Sequence, residues 1–179
     1  ALTRLFEVED ITSALIFVRT RADTTELAVE LSSRGYPAEA LSGELSQEAR
    51  ERTLNRFRQE QIQVLVATDV AARGLDIDNI SHVFNYELPE DPEIYVHRIG
   101  RTGRAGKTGI AITLVSTRER RRLGQVEAFT RKKIQRMQVP TEEDIRALRV
   151  QKLVNKVTVW LQRGRCVQER AMIEKLVAE

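Results

Sequence analysis

Residues 14–18 read Ala-Leu-Ile-Phe-Val, a short continuous apolar run that is typical of a strand buried on both faces of a parallel sheet. Four more β-like segments follow along the chain, at residues 38–41, 62–67, 81–86 and 109–115. Segments with helical spacing of apolar residues lie between them. This alternation predicts an α/β fold, with a parallel sheet covered by helices on both faces.

Local signals mark where several helices begin and end. Asp23-Thr24-Thr25-Glu26 has the spacing of a capping box and predicts a helix that ends at Gly35. Ser46 is placed to cap a charged helix, and a further helix is expected from about Pro92. Ligands of parallel sheets lie beyond the carboxyl ends of the strands, so the loops that follow the strands are the candidate site.

Composition limits the class of protein. The chain has 179 residues, of which 41% are hydrophobic and 31% charged, as in globular domains. Its apolar runs fall short of the roughly 18 residues that span a bilayer, and the N-terminus lacks a signal-peptide pattern. One cysteine and no Cys/His cluster give no reason to expect a metal site. We therefore expect a cytoplasmic protein that binds neither membrane nor metal.

Charge is concentrated in one segment. Residues 118–137 carry eight Lys or Arg and two Glu, whereas the residues before them are acidic overall. Ser116-Thr117-Arg118-Glu119 has capping-box spacing and predicts a helix that reaches about Met137. We expect its apolar side to pack on the domain through Leu123, Val126, Phe129 and Ile134. A solvated face is the favoured interpretation of its cations, and RNA contact is the alternative.

The run His97-Arg98-Ile99-Gly100-Arg101-Thr102-Gly103-Arg104 places three arginines at i, i+3 and i+6. Guanidinium groups at this spacing can converge on one small anion, because their planar forks pair with phosphate oxygens. The glycines let the backbone turn and approach a ligand closely. Taken alone, the run is also compatible with a solvated, Arg-rich helix, and His97 with an ordinary structural histidine.

Two other segments place polar residues where a strand ends or a helix begins. After the third strand, Thr68 can offer a hydroxyl, Arg73 a cation and Asp76 an acceptor for sugar hydroxyls. An ordinary turn into a helix, with an Asp cap and a buried ion pair, is an equal alternative. Gln47 and Arg50 lie one turn apart at a helix start, where free N–H groups favour an anion. A solvated helix start is the favoured interpretation of that pair alone.

Four segments occur along the chain in a fixed order: Ile16-Phe17-Val18-Arg19-Thr20, residues 47–50, residues 67–76 and residues 97–104. This ordered series closely resembles the C-terminal RecA-like domain of DEAD-box RNA helicases. The resemblance covers about residues 1–137. Related helicases that unwind DNA or translocate usually have Gln at the position of His97, so the histidine favours the DEAD-box branch.

The resemblance implies roles for individual residues. Arg101 and Arg104 match the arginine fingers that contact the γ-phosphate of ATP, and Asp76 matches the acid that binds the ribose. His97, which is counted with the catalytic group, and Asp69 match residues that couple nucleotide state to contact between two RecA-like domains. Positions that line the RNA backbone in the family correspond to Arg19, Thr20, Gly43, Gln47, Arg50, Thr68 and Arg73.

The sequence also departs from the family's full pattern. Ser42-Gly43-Glu44 stands where members usually have His-Gly-Asp, so any contact made by that histidine is missing. The phosphate loop GxxxxGK[ST], Asp-Glu-Ala-Asp and Ser-Ala-Thr do not occur. In the family these motifs belong to the first RecA-like domain, which holds the phosphates and Mg²⁺. The resemblance thus implies half of a split site, with ATP as cofactor, RNA and the first domain as partners, and negligible ATPase activity for this chain alone.

Residues 141–179 are expected to be a separate helical hairpin, after a RecA-like domain over residues 1–140. Thr141 can cap a helix that ends near Gly164, and a last helix follows. The apolar residues of this segment include Leu153, Val157, Trp160, Leu161, Ile173 and Leu176. The segment resembles, more loosely, the dimerisation extension of a heat-resistant RNA-dependent ATPase of the family. We expect a homodimer, with packing of both helices on the RecA-like domain as the alternative.

These expectations combine into one functional prediction. The chain is expected to be the second motor domain of an ATP-dependent RNA helicase, followed by a dimerisation hairpin. A non-catalytic module that binds RNA and self-associates on a helicase-like fold is the alternative.

Overall fold

The structure is a computed structural model that describes residues 1–75, 77, 80–103 and 108–163. The described residues fall into two compact units, one of residues 10–137 and one that joins residues 1–9 to residues 138–163. The division into residues 1–140 and 141–179 stays a prediction. The structure adds that the first nine residues group with the C-terminal segment, a pairing that no sequence pattern indicated.

The larger unit is built on one parallel sheet. Its five strands within the described residues are β1 (Ala14–Phe17), β2 (Ala38–Leu41), β3 (Val64–Ala67), β4 (His82–Asn85) and β5 (Ile110–Thr113). Their order across the sheet is β2-β3-β1-β4-β5, and all neighbouring pairs are parallel. In register, Ala14 lies opposite Val64 on one side and His82 on the other.

The three central strands are covered on both faces. Every residue of β1, β3 and β4 is buried. Successive side chains of a strand point to opposite faces, so burial of all four residues requires packing above and below the sheet. The predicted α/β class with a parallel sheet is confirmed.

The strands are connected by α2 (Arg21–Ser33), α3 (Gln47–Arg58), α4 (Asp69–Ala72) and α5 (Pro92–Ile99). Leu54 and Phe57 of α3 join Leu15, Leu41 and Leu65 of the sheet in one buried cluster. This packing explains the apolar spacing of an otherwise highly charged helix, because only one side of α3 faces the core.

The helix caps follow the predicted residues in two cases and differ in a third. Ser46 caps α3 through its hydroxyl, which accepts from Ala49 N at 3.2 Å, and Pro92 begins α5 as predicted. The capping box of α2, however, pairs Thr20 with Asp23, so the helix begins three residues before the predicted start. Asp23 is the reciprocal acceptor of that box and not its cap.

The predicted helix from Ser116 to Met137 is shorter in the structure. A 3₁₀ turn (Thr117–Glu119) leads into α6 (Arg120–Thr130), and Arg131 then adopts a left-handed conformation with φ of 52°. The carboxylate of Glu127 accepts from Ile134 N at 2.9 Å and holds the returning chain. The turn brings Ile134 to the cluster of Leu88, Tyr95 and Val126 without further helix.

One packing prediction for this segment is wrong. Leu123 and Ile134 pack against that cluster as expected, but the side chain of Phe129 is 52% exposed. The chain turns after Thr130 and places Ile134 against this cluster, whereas Phe129 is not part of the cluster and lies at the margin of the covered side of α6.

The smaller unit contains α1 (Leu2–Val8) and α7 (Glu142–Gln162). Thr141 caps α7 in a reciprocal box with Asp144, as predicted. Arg149 of α7 forms a salt bridge with Glu7 at 2.6 Å. The predicted helix after Gly164 lies outside the described residues. In the part of the chain that the structure describes, no helix has both the length and the apolar character that a bilayer span demands.

Candidate functional site

The loops that follow β1, β2, β3 and β4 lie at one edge of the sheet, which we call the carboxyl edge. Parallel strands all end on the same side, and the strand order makes these loops neighbours. Salt bridges join them: Arg21 Nη1 lies 2.6 Å from Glu44 Oε1, and Arg19 Nε lies 3.0 Å from Glu87 Oε2. The four loops that the sequence indicated as a site therefore lie at one edge, and these two ion pairs connect the loops after β1, β2 and β4.

Arg98 is the centre of a buried polar network at this edge. Its Nε and Nη2 donate to the two carboxylate oxygens of Asp69, at 2.6 and 2.7 Å. Its Nη1 donates to Asn85 Oδ1 and to the carbonyl of Glu87, both at 3.1 Å. The guanidinium carbon also lies 5.1 Å from the centroid of the Phe17 ring. With 5% of its surface exposed, Arg98 is a buried cation whose charge is fully paired.

This network fixes α5 to the carboxyl edge, because its partners are Phe17 and Asn85 at the ends of β1 and β4, Glu87 after β4, and Asp69 at the start of α4. The sequence placed Arg98 among three arginines that can converge on one small anion, whereas the structure buries it against Asp69. A buried ion pair in the segment of Asp69 was an alternative that the sequence left open, and the structure shows that pair. The signal in the sequence was the position of Arg98 inside a helix, ahead of the two later arginines. Nothing local indicated that its partners converge.

The two later arginines follow the end of α5. Arg101 is half-buried, and its Nη1 donates to the carbonyl of Leu75 at 3.0 Å. The hydroxyl of Thr102 donates to the carbonyl of Ile80, and the two residues form an isolated parallel bridge. His97, on the last turn of α5, is exposed. Arg104 and Asp76 lie outside the described residues.

Gly109 allows the arginine-bearing segment to lie directly against the start of β5. A Cβ at this position would overlap the hydroxyl of Thr102 and the backbone of Gly103. Gly103 itself has φ of +67°, a conformation that favours glycine. The chain after α5 is therefore held by a close backbone approach as well as by hydrogen bonds.

The residues predicted to face RNA all lie at the carboxyl edge, but they differ in exposure. Arg19, Thr20, Gly43, Gln47 and Arg73 are exposed, Arg50 is half-buried and Thr68 is buried. Several also have a structural role. Thr20 and Thr68 cap α2 and α4, and Arg50 Nη2 donates to the carbonyl of Ala71 at 2.8 Å.

The inner side of α5 is anchored by a phenol that stays neutral. Burial raises the pKa of Tyr95, and its hydrogen bond with Thr113 opposes the rise only in part. Thr113 also accepts from Asn85 Nδ2 at 3.0 Å, so α5, β4 and β5 share one set of polar contacts. Among the described residues, no group of His, Cys, Asp and Glu side chains is arranged to hold a metal ion.

The described part of the predicted dimer interface is a solvent-facing stripe on α7. Leu153, Val157, Trp160 and Leu161 are all exposed, and α7 has no buried residue. Lys156 Nζ lies 5.1 Å from the centroid of the Trp160 ring. Ile173 and Leu176 lie outside the described residues.

Known proteins share this sequence and this architecture. Residues 1–106 match the helicase conserved C-terminal domain. The DEAD-box ATP-dependent RNA helicase CshA of Geobacillus kaustophilus is 48% identical over 160 residues, which cover 87% of this chain and 34% of that protein. The chain thus spans about a third of the length of that relative.

Solved structures agree with the sequence match. The C-terminal domain of the DEAD-box protein Dbp5 is similar with a TM-score of 0.72 and 37% identity, over 87% of this chain and 88% of that one. An S. cerevisiae Dbp5 variant bound to RNA and ADP BeF3 gives a TM-score of 0.71 and 38% identity, over 87% of this chain and 41% of that one. The chain therefore belongs to the helicase C-terminal domain family, in the DEAD-box branch of RNA helicases.

Proposed function

We propose that the chain is the second motor domain of an ATP-dependent RNA helicase and supplies arginine fingers and RNA-backbone contacts. The buried network of Arg98 is the observation that carries this proposal. It holds the arginine-bearing segment at the same sheet edge as the exposed residues expected to bind RNA. A first RecA-like domain, outside this chain, would complete the site across a cleft.

The proposed fingers act on the γ-phosphate of ATP. Arg101 has five N–H donors, and the described contacts use one of them on Leu75. The remaining donors suit bidentate pairing with phosphate oxygens as charge develops. We assign Arg104 to the same task and Asp76 to the ribose on the family pattern, and His97 to coupling between domains. We assign the Mg²⁺ of the reaction to the first domain on the family pattern.

RNA binding is proposed for the exposed cations of the carboxyl edge. The Dbp5 relative that binds RNA supports the class of ligand. Arg19 and Arg73 are exposed there, as are Gly43 on the β2–α3 connection and Gln47 at the start of α3. Contacts of this kind attach to phosphates and give affinity without reading bases.

The test of this proposal is Arg101→Ala in the full-length protein. We expect kcat for RNA-stimulated ATP hydrolysis to fall by roughly 10³-fold or more, with the RNA dissociation constant nearly unchanged. The matched control is Arg34→Ala, which removes an exposed arginine at the far end of α2. Unchanged turnover in the Arg101 variant would favour the alternative, a non-catalytic RNA-binding and self-association module. RNA-stimulated hydrolysis by the 179-residue chain alone would contradict the expected inactivity of the isolated half.

We also propose that the exposed stripe on α7 pairs with a second copy of the chain. Apolar residues recur there at spacings of three and four, at Val150, Leu153, Val154, Val157, Trp160 and Leu161. A two-fold axis would bury this stripe against itself. Because ATP and RNA are its proposed ligands, we place the protein in the cytoplasm.

A further inference from the structure

A row of exposed side chains on and around α6 has no role in the site described above. It consists of Arg118, Arg121, Gln125, Phe129 and Lys132, and we call it the basic stripe. All five residues are exposed. Arg121, Gln125 and Phe129 are spaced by four residues on α6, so they lie along one side of the helix.

The aromatic member of the stripe is not part of the core. The core-facing side of α6 is formed by Leu123 and Val126, together with Ile134 from the returning chain. Phe129 lies away from that cluster and exposes 52% of its surface. It is the exposed large hydrophobic side chain on α6 in the part of the chain that the structure describes.

The cations of the stripe are not neutralised by neighbours. The segment has two acidic residues, and both are already engaged: Glu119 with Arg122 at 3.8 Å, and Glu127 with Lys133 at 3.0 Å. Within the described ranges, Arg118, Arg121 and Lys132 take part in no salt bridge. The stripe is therefore an exposed aromatic ring with unpaired positive charge on either side of it.

An aromatic face between cations is the chemistry that recognises single-stranded RNA. Bases stack on the ring, while arginine and lysine pair with the phosphates on each side. We propose that the basic stripe binds single-stranded RNA and that Phe129 is its stacking platform. The stripe is assigned from residues other than those proposed to bind RNA at the carboxyl edge.

A membrane surface is the competing partner for a basic helix, and the structure disfavours it. Insertion at a bilayer surface needs a broad apolar face on the helix. α6 offers a single large exposed apolar side chain, with Gly124, Gln125 and Ala128 beside it. This area is enough for one base but not for the acyl region of a bilayer.

The test is fluorescence anisotropy of a labelled 12-nucleotide oligouridylate with the 179-residue chain. Phe129→Ala should weaken binding about fivefold, the lower end of the effect of stacking one base. Phe129→Tyr should retain the affinity, whereas Phe129→Leu should lose it, because leucine keeps the apolar surface without a ring. Val29→Ala, at another exposed apolar residue on a helix, is the matched control and should bind as the parent chain does.

The charge contribution is measured separately. Arg121→Gln combined with Lys132→Gln should reduce the slope of log affinity against log salt by about 1.4, the value for two phosphate contacts on a single strand. An unchanged slope, or equal binding by Phe129→Ala and the parent, would overturn the proposal. So would loss of binding to phosphatidylserine vesicles in Phe129→Ala with RNA binding intact, since the partner would then be a membrane.

The carboxyl edge is tested in parallel with Arg73→Gln. If this variant binds RNA weakly while Phe129→Ala binds normally, the stripe proposal fails and the edge proposal stands. Weak RNA binding by Phe129→Ala with normal binding by Arg73→Gln supports the stripe proposal and contradicts the proposed RNA contact of Arg73 at the carboxyl edge. Reductions in both variants support both surfaces.

Discussion

Replacing Asp69 with alanine should be the most damaging single change at the carboxyl edge. The substitution removes both acceptors of the bidentate pair and leaves the Arg98 guanidinium buried, with only neutral acceptors from Asn85 and Glu87. Breaking a buried ion pair by removing one partner costs about 3–5 kcal/mol. The side chain of Asp69 is 33% exposed, so water reaches that side and we expect the lower end, about 3 kcal/mol.

The assay is urea unfolding, with amide hydrogen exchange of the buried strands to follow the larger unit alone. For an m-value near 2 kcal/mol/M, a loss of about 3 kcal/mol lowers the midpoint by about 1.5 M urea. Arg34→Ala is the control, because it breaks the exposed i, i+4 pair with Glu30 and should cost under about 0.5 kcal/mol.

A double variant sharpens the test. Arg98→Met combined with Asp69→Ala removes both charges, so it should be less destabilising than the sum of the single changes. If Asp69→Ala costs no more than the exposed control pair, Arg98 is not a buried charge that depends on Asp69. The reasoning about how α5 is fixed would then be refuted.

Three further outcomes are expected. Light scattering should give a mass near twice 20.5 kDa for the chain and 20.5 kDa for Trp160→Ala. The control Arg146→Ala, at an exposed charged residue of the same helix, should keep the dimer mass. A monomer at all concentrations would instead mean that the apolar stripe is covered within its own chain. Hydrogen bonds from Thr141 lower the pKa of Asp144, so the folded helix binds fewer protons than the unfolded chain. The stability that these bonds add is present above the ordinary pKa of 3.8 and is lost as pH falls through the lowered pKa. Amide NMR signals at the start of α7 should show fraying of the helix over that fall in pH. Burial raises the pKa of Tyr95, so the stability contributed by the buried neutral phenol is full below pH 10.0 and is lost as pH rises through the raised pKa. In an absorbance titration, one of the three tyrosines should ionise at higher pH than the others. Simultaneous ionisation of all three would contradict the burial of Tyr95.

The elements predicted best are those whose signal is local. The β-like segments correctly indicated the five strands of the described residues. Ser46 and Thr141 cap helices as expected, because a cap depends on residues two or three positions away. The predicted start of α2 was wrong because Asp23 has capping-box spacing both with Glu26 after it and with Thr20 before it. In the structure the chain leaves β1 at Phe17, and Thr20 is the residue that caps α2.

The predictions that failed depend on contacts between distant residues. Phe129 matched the apolar period of α6, but the helix ends at Thr130 because Glu127 binds the returning backbone at Ile134. The period of a helix predicts which side is apolar, not where tertiary packing ends the helix. The exposed ring was therefore not foreseen, although RNA contact by the cations of this segment was an alternative that the sequence left open.

The sequence by itself determined the class of fold, the order of its elements and the family. The signals for these are apolar strand segments, helix caps and an ordered series of motifs, and each depends only on residues that are close together in the sequence. It also indicated which loops carry the polar residues, since parallel strands must end at one edge. Only the tertiary structure decided that Arg98 is a buried cation paired with Asp69, while Arg101 is half-buried and donates to the carbonyl of Leu75. The two residues have the same side chain three positions apart. What separates them is the convergence on Arg98 of Phe17 and Asn85, at the ends of β1 and β4, with Asp69 at the start of α4, and that convergence exists only once the sheet has formed.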